Sequence, residues 1–470
     1  MSGATGSGPR LSLVVVGAGI SGLAAAWQAA DAGADVVLLE ADRRAGGKLA
    51  SAMLLGRRVD TGADGFLARR PEGLDFVRDV GLGASLIEPA ASSALVWSRG
   101  RLRRLPDGLL LGVPTNLVAL ARSGVLSPFG LGRAALDLVL PGDPVPDGSD
   151  VAVGPLVRAR LGREVHERLV DPLLGGINAG DSDHLSLQAG VPQLAAAVQG
   201  HRSLMIAAWR ARRRQLRAGP GPTFSSVEGG LGRFADQVAR RLGERGVKLV
   251  LGFDAERVER RGAAWSVVTG RGARFAGDAV VLAVPAASAA RLLEPHAATS
   301  AARLGEISSA SVAMVCLAYR REDVGRALEG SGFLVPRRDG RLMTACSWAS
   351  SKWPEVAAPG TVVLRVSAGR AGDGRALALS DDVLVSRLHQ ELVAALDLTG
   401  EPAARHVTRW VDGFPQYRPG HADLVAGIEA GLPNGLEVAG ATYRGVGVPA
   451  CIGSGRAAAR RALAGARSTA

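Results

Sequence analysis

The chain has 470 residues, 47% hydrophobic and 21% charged, which allows two or three globular domains around a large core and excludes a disordered or fibrous protein. The net charge of +12 comes from arginine, since only Lys48, Lys248 and Lys352 are lysines; the arginines are scattered and accompany no nucleic-acid motif, so an acidic small substrate or an anionic surface suits them at least as well. Three distant cysteines without CxxC, seven histidines without metal spacing, no apolar run near the length of a membrane span and a polar first ten residues predict a reducing, cytoplasmic setting with no metal site, no transmembrane helix and no secretion signal.

Leu11 to Val16 is a Val-rich apolar run, the pattern of a strand buried on both faces. Gly17, Gly19 and Gly22 follow in GxGxxG spacing: the first permits a tight turn, the second lets main chain approach a diphosphate, the third lets helix pack on strand. The helix is predicted from Ile20 to Ala32, stopped by Gly33, with its first-turn N–H groups aimed at the diphosphate. Ala34 to Leu39 forms the second strand and delivers Glu40, whose carboxylate can accept from ribose hydroxyls. The candidate dinucleotide contacts are Gly17, Ala18, Gly19, Ile20, Ser21, Gly22, Glu40 and Ala41.

Asp42 to Ser51, DRRAGGKLAS, resembles the second glycine motif of FAD enzymes of the amine oxidase and protoporphyrinogen oxidase superfamily. The resemblance implies that Gly46, Gly47 and Lys48 lie against the pyrophosphate and flavin. Val59 to Pro71, VDTGADGFLARRP, resembles the porphyrinogen oxidases, and places Gly62, Ala63 and Asp64 where the chain passes the flavin ring. Arg69 and Arg70 are read either as partners of substrate carboxylates or as solvated loop charges. Glu72 to Val80 is an amphipathic helix closed by Gly81, and Ala94 to Trp97 with Arg101 to Leu105 is a hairpin. Several relatives carry a basic residue before that hairpin, facing a substrate propionate. Here Ser92 and Ser93 stand there, so that anchor is absent or supplied elsewhere.

Gly108 to Leu140 is apolar and helical, broken by Gly and Pro; its interrupting polar residues favour a pocket-forming helical subdomain over a peripheral membrane contact. Pro141 to Asp150 is a turn-rich linker. Val170 to Ser186, VDPLLGGINAGDSDHLS, closely resembles the porphyrinogen oxidase signature. A helix from Val153 through Leu169 is predicted to break at Pro172 and Gly175-Gly176, leaving main chain at Gly175, Gly176 and Ile177 free to approach a flat ligand. Asp181 is expected to cap the next helix, His184 to be structural, and His201 to Arg217 to be a solvated basic helix.

Phe224 to Gly230 returns to the flavin domain, with a helix over Leu231 to Leu242. Val247 to Leu251 is a strand and Asp254 to Arg260 follows it; Trp265 to Val268, Ala273 to Phe275 and Ala279 to Val284 complete a meander, and the resemblance gives the main chain of Val258 to the adenine. Ser308 to Arg365 alternates short strands like the family's substrate sheet; TACSWASSKWP and LRVSAGRAGD match it, though relatives can have an aromatic at Ser367. Asp381 to Leu396 is an amphipathic helix. Leu436 to Ala439 is a buried strand, Gly440 its turn, and Gly445 to Pro449, with Gly447 and Val448, a bare main-chain approach to the ring ahead of a helix. Cys451 reads as a packed small residue.

The expected fold is α/β (α+β): a discontinuous Rossmann-like FAD domain (1–87, 222–300, 422–470), an antiparallel-sheet substrate domain (88–107, 301–421) and a helical subdomain (108–221). The whole-chain resemblance is to bacterial oxygen-dependent coproporphyrinogen III oxidases. It implies FAD, a six-electron oxidation of coproporphyrinogen III by O2 with release of hydrogen peroxide, and transient docking of a coproporphyrin ferrochelatase. Since the flavin carries the chemistry, no catalytic side chain is expected. The alternatives are protoporphyrinogen IX oxidation, another amine oxidase or desaturase, and a non-enzymatic porphyrin carrier.

Overall fold

Five strands drawn from distant parts of the chain pair in parallel in the order Lys248–Leu251, Asp35–Glu40, Ser12–Val16, Ala279–Leu282, Leu436–Val438. This is seen in a computed structural model that describes residues 10–140, 142–146, 148–217 and 221–468. Residues 1–9 of the polar leading segment, and Pro141 and Asp147 of the predicted linker, lie outside the described residues. The central strand is buried from Leu13 to Val16, as a parallel strand covered on both faces must be. On one face the helices Ile20–Asp31, Pro71–Asp79, Gly230–Glu244 and Val448–Arg467 share one core. Phe76 sits edge-to-face between Trp27 at 6.2 Å and Phe234 at 6.0 Å, pairs that contribute about 0.5–1.5 kcal/mol each beyond area burial. Helices 20–31 and 448–467 cross so closely that a Cβ on Gly455 would overlap the carbonyl of Ser21.

The opposite face carries a three-stranded meander, Ala255–Arg261, Ala264–Thr269 and Arg274–Gly277, and the helix Ala286–Leu293. The predicted meander is thus shorter than expected: Ala279–Leu282 leaves it and pairs with Ser12–Val16. An unbroken apolar run is equally at home in either sheet, so the sequence alone does not distinguish them.

The second sheet has seven strands, ordered Ala404–Pro415, Ser309–Arg320, Thr361–Ala368, Met343–Trp348, Gly332–Leu334, Ala94–Ser98, Arg101–Arg104. It is antiparallel except where Gly332–Leu334 pairs in parallel with Ala94–Ser98. Alternation sorts its faces: Leu364, Val366 and Ala368 pack under the helix Asp381–Leu396, while Val363 packs on the other side. That other side also carries Arg365 towards Gly62 and Asp64 of the parallel-sheet half.

The helical section corrects two expectations. Leu109–Leu110 and Val113–Pro114 form a small hairpin, turned by Leu111 and Gly112 at positive φ, before the helices Leu117–Ser123 and Pro128–Ala135. The helix starting at Val153 breaks at Gly162, φ 87°, rather than at Pro172. A wide π turn over His166–Val170 resets the hydrogen-bond ladder ahead of Pro172, which then takes the first turn of Asp171–Asn178. Gly175 and Gly176 lie inside this helix, and Ala179, φ 47°, ends it.

Candidate active site

The glycine turn closes as the motif requires. A Cβ on Gly22 would overlap the carbonyl oxygen of Gly17, whereas one on Gly19 would meet nothing within 4 Å. Helix 20–31 starts at Gly19 with no side-chain cap, which leaves the N–H groups of its first turn without a side-chain partner from Gly19. The Gly46–Gly47 turn lies alongside: Gly46 N–H donates to Ala18 O at 2.8 Å, and Gly47 packs on the Cα of Gly19. Glu40 Oε2 accepts from Ala18 N at 2.6 Å and Oε1 from Asp42 N at 3.0 Å, which fixes the carboxylate at the end of its strand with lone pairs to spare; Ala41 beside it is exposed.

The far end of the chain arrives at the same place. Helix 448–467 begins at Gly447, again without a side-chain cap, and Val448 packs in one core with Ala18 and Ile20. Gly440 faces the hydroxyl of Ser21 at 3.9 Å, measured from an added Cβ, and one on Gly447 would find only Pro449. Tyr417, buried, pins the turn between them: its hydroxyl donates to Ala441 O and accepts from Gly445 N at 2.8 Å. Burial pushes that phenol well above its ordinary pKa and likewise raises the Cys451 thiol, which fits a packed residue rather than a thiolate.

Lys48 joins the two halves, its Nζ donating to Gly413 O at 2.7 Å. The side chain is exposed, yet burial lowers its ammonium pKa; both hold for a lysine standing in a recess walled by protein. Gly62 is wedged between Lys48 O and the Trp410 ring, and its carbonyl accepts from Arg365; Ala63 packs on the core beneath the parallel sheet. Asp64 is fully committed. Its carboxylate meets Arg365 at 2.5 Å, Lys352 at 3.1 Å and Trp353 Nε1 at 3.2 Å. Burial alone would raise its pKa, but Arg365 and Lys352 outweigh it and hold the carboxyl well below the usual range. The neighbouring Asp60 accepts from Leu231 and Gly232 at the start of helix 230–244, and burial lifts its pKa to about 6.

Val258 is buried on the edge strand of the meander, and its carbonyl accepts from His296 at 2.7 Å. Its N–H points the same way along that edge, as alternation requires. Gly176 and the half-exposed Ile177 form the open face of helix 171–178, with Leu334 opposite Gly176, while Gly175 looks towards Gly180 O. Arg69 and Arg70 are exposed, and Arg69 is bound to Gln215 at the end of the basic helix Leu204–Arg217. Asp181 opens a turn rather than capping a helix; Ser186 caps the next one, accepting from Ala189 N at 2.8 Å. His184 is exposed. The 108–140 segment divides its side chains: Leu120, Val125, Leu126 and Ala134 form the helical core, whereas Phe129, Val139 and Leu140 face outward.

The family described as flavin containing amine oxidoreductase matches residues 20–463. This chain belongs to that family. Within it, the chain is 38% identical to the coproporphyrinogen III oxidase of Mycobacterium leprae (strain TN), with 95% of this chain and 97% of that one covered. It is 33% identical to the protein of the same name from Bacillus subtilis (strain 168), over 96% and 97% of the two chains. A solved structure from Exiguobacterium sp. 255-15 that carries a protoporphyrinogen oxidase name superposes with a TM-score of 0.85 at 32% identity, covering 97% of this chain and 99% of that one. A flavin containing oxidoreductase needs room for a dinucleotide, and this chain brings together two helix starts without side-chain caps from opposite ends of the sequence, with open space at Gly19.

Proposed function

We propose that the protein oxidises coproporphyrinogen III to coproporphyrin III with FAD as cofactor and O2 as final acceptor. The observation that carries this reading is the nearly full-length match to relatives of that name. Bound FAD would supply the hydride acceptor, three hydrides leaving methylene bridge carbons over three cycles while three protons go to solvent, and each electron pair would pass to O2 as hydrogen peroxide. The chain's own residues have four tasks. The N–H groups at Gly19–Ser21 hold the pyrophosphate, and Glu40 accepts from the ribose. The N–H of Val258 meets the adenine. Main chain at Gly46, Gly47, Gly62, Gly440, Gly447 and Val448 leaves the ring face uncluttered, and the positive end of helix 448–467 favours negative charge beside it. Gly176 and Ile177 present a flat wall to the macrocycle, so that positioning rather than a side-chain acid or base does the catalysis.

The same geometry would serve protoporphyrinogen IX, which has the same reacting carbons and two propionates instead of four. Comparing kcat/KM for the two separates them. Coproporphyrinogen III is expected to be favoured by about tenfold or more, since carboxylates left out of a site built for them forfeit charge-assisted bonds. A preference for protoporphyrinogen IX would reassign the substrate and leave the flavin site untouched.

A further inference from the structure

A buried cation without a partner stands beside the segment that follows helix 171–178. Arg370 is 7% exposed, and its Nε has no hydrogen-bond partner. Among the described residues its guanidinium makes neither a side-chain hydrogen bond nor an ion pair. The acids near enough to influence it are Asp171 and Asp373, and neither forms an ion pair with it. Asp171 Oδ1 accepts from Ser182, and Asp373 is forked by Arg375 at 2.7 and 2.9 Å. A second cation adds to the imbalance. Arg337 bridges Ala371 O and Gly180 O, each at 3.2 Å, and its positive charge bears on Arg370.

A desolvated guanidinium next to another is costly unless an anion comes between them. Ala371 N–H donates to Ala179 O at 2.8 Å, so the Arg370 turn is tied directly to the end of the helix that presents Gly175, Gly176 and Ile177. Across the sheet, Ser92 and Ser93 occupy the position before strand 94–98, and Ser93 O is spent on Ser331. No cation is offered from there.

We propose that Arg370, backed by Arg337, is a carboxylate-binding site that takes a propionate of the substrate. This rests on the porphyrinogen reading above and adds to it the group that grips the acid. A planar guanidinium can bind a carboxylate through two parallel N–H···O bonds, a geometry an ammonium does not match. The site therefore reads the free acid and ignores an ester of the same macrocycle.

The test is a fluorescence titration of the purified holoprotein with coproporphyrin III and with its tetramethyl ester. Arg370→Gln is expected to raise the Kd for the free acid by about tenfold or more and to leave that for the ester unchanged. Arg370→Lys, which keeps the charge and loses the fork, should fall between, and it carries the same comparison if the glutamine variant does not fold. Equal losses for acid and ester, or no loss for either, would overturn the site by making Arg370 a packing residue. Wild-type protein that binds neither ligand overturns the substrate reading and the site together; wild-type protein that binds the acid no better than Arg370→Gln does overturns the site alone.

Discussion

Replacing Asp64 with alanine is expected to destabilise the protein by about 3–5 kcal/mol, the loss seen when one member of a buried ion pair is removed. Asp64 lies between the two halves of the molecule, and the residues that hold it come from the far half: Arg365 from the sheet, Lys352 and Trp353 from the short helix Ala349–Lys352 and its end. Arg365 is 5% exposed by side chain and Lys352 16%, so neither can recover its hydration once the carboxylate is gone. Arg365 would keep its bond to Gly62 O but lose its paired carboxylate in a dry environment. The loss should be read by urea unfolding, with a change below about 1 kcal/mol placing the pair among ordinary surface bridges and contradicting the account. The pH dependence has a definite sign. Asp64 titrates lower in the folded protein than in the unfolded chain, so its stabilising contribution is complete above the unfolded pKa near ~3.9. It is lost as pH falls through the folded pKa. The alanine variant should therefore show a shallower loss of stability in acid than the wild type.

Gly19→Val is expected to leave the apoprotein nearly as stable as before and to abolish flavin retention. Gly19 has φ −63° and ψ 173°, which any residue adopts, and a Cβ there touches no protein atom within 4 Å. The cost to the empty protein is that of a poorer helix cap, about 1 kcal/mol or less. The added methyls would instead occupy the space through which main chain approaches a pyrophosphate, and flavin content after gel filtration should fall more than about tenfold. Gly22→Ala provides the contrast, because its Cβ would overlap Gly17 O and disturb the turn itself. Full flavin occupancy in Gly19→Val would mean that the diphosphate lies elsewhere.

The features legible in the sequence are those set by neighbours along the chain. The turn from Val16 to Glu40, the helix Asp381–Leu396 and the hairpin at Arg99-Gly100 follow from periodicity and turn chemistry, and the structure has all three. Misreadings arose where one local rule gave way to another. Pro172 is a helix breaker in isolation, but a π turn upstream absorbs it. Asp181 and Ser186 are both good caps, and the chain uses the one nearer the next helical turn. Leu109 to Pro114 reads as helix by apolarity, and positive φ at Leu111 and Gly112 turns it into a hairpin. What stayed hidden in the site was long-range. Arg365 and Lys352 meet Asp64 from nearly three hundred residues away, Lys48 reaches Gly413 on the edge strand of the second sheet, and Tyr417 holds the turn ahead of the last helix. TACSWASSKWP and LRVSAGR marked two of these stretches by resemblance, yet no spacing rule says which side chains in them touch the other half of the molecule.

Anaerobic mixing of the purified protein with coproporphyrinogen III tests the central claim most directly. If main chain from both ends of the sequence holds a flavin against a macrocycle, the yellow absorbance should bleach. Coproporphyrin should appear in the same reaction, in the ratio of one macrocycle to three flavins reduced, and admission of O2 should restore the colour. A flavin that stays oxidised while the porphyrinogen binds would contradict the account and leave the protein a carrier.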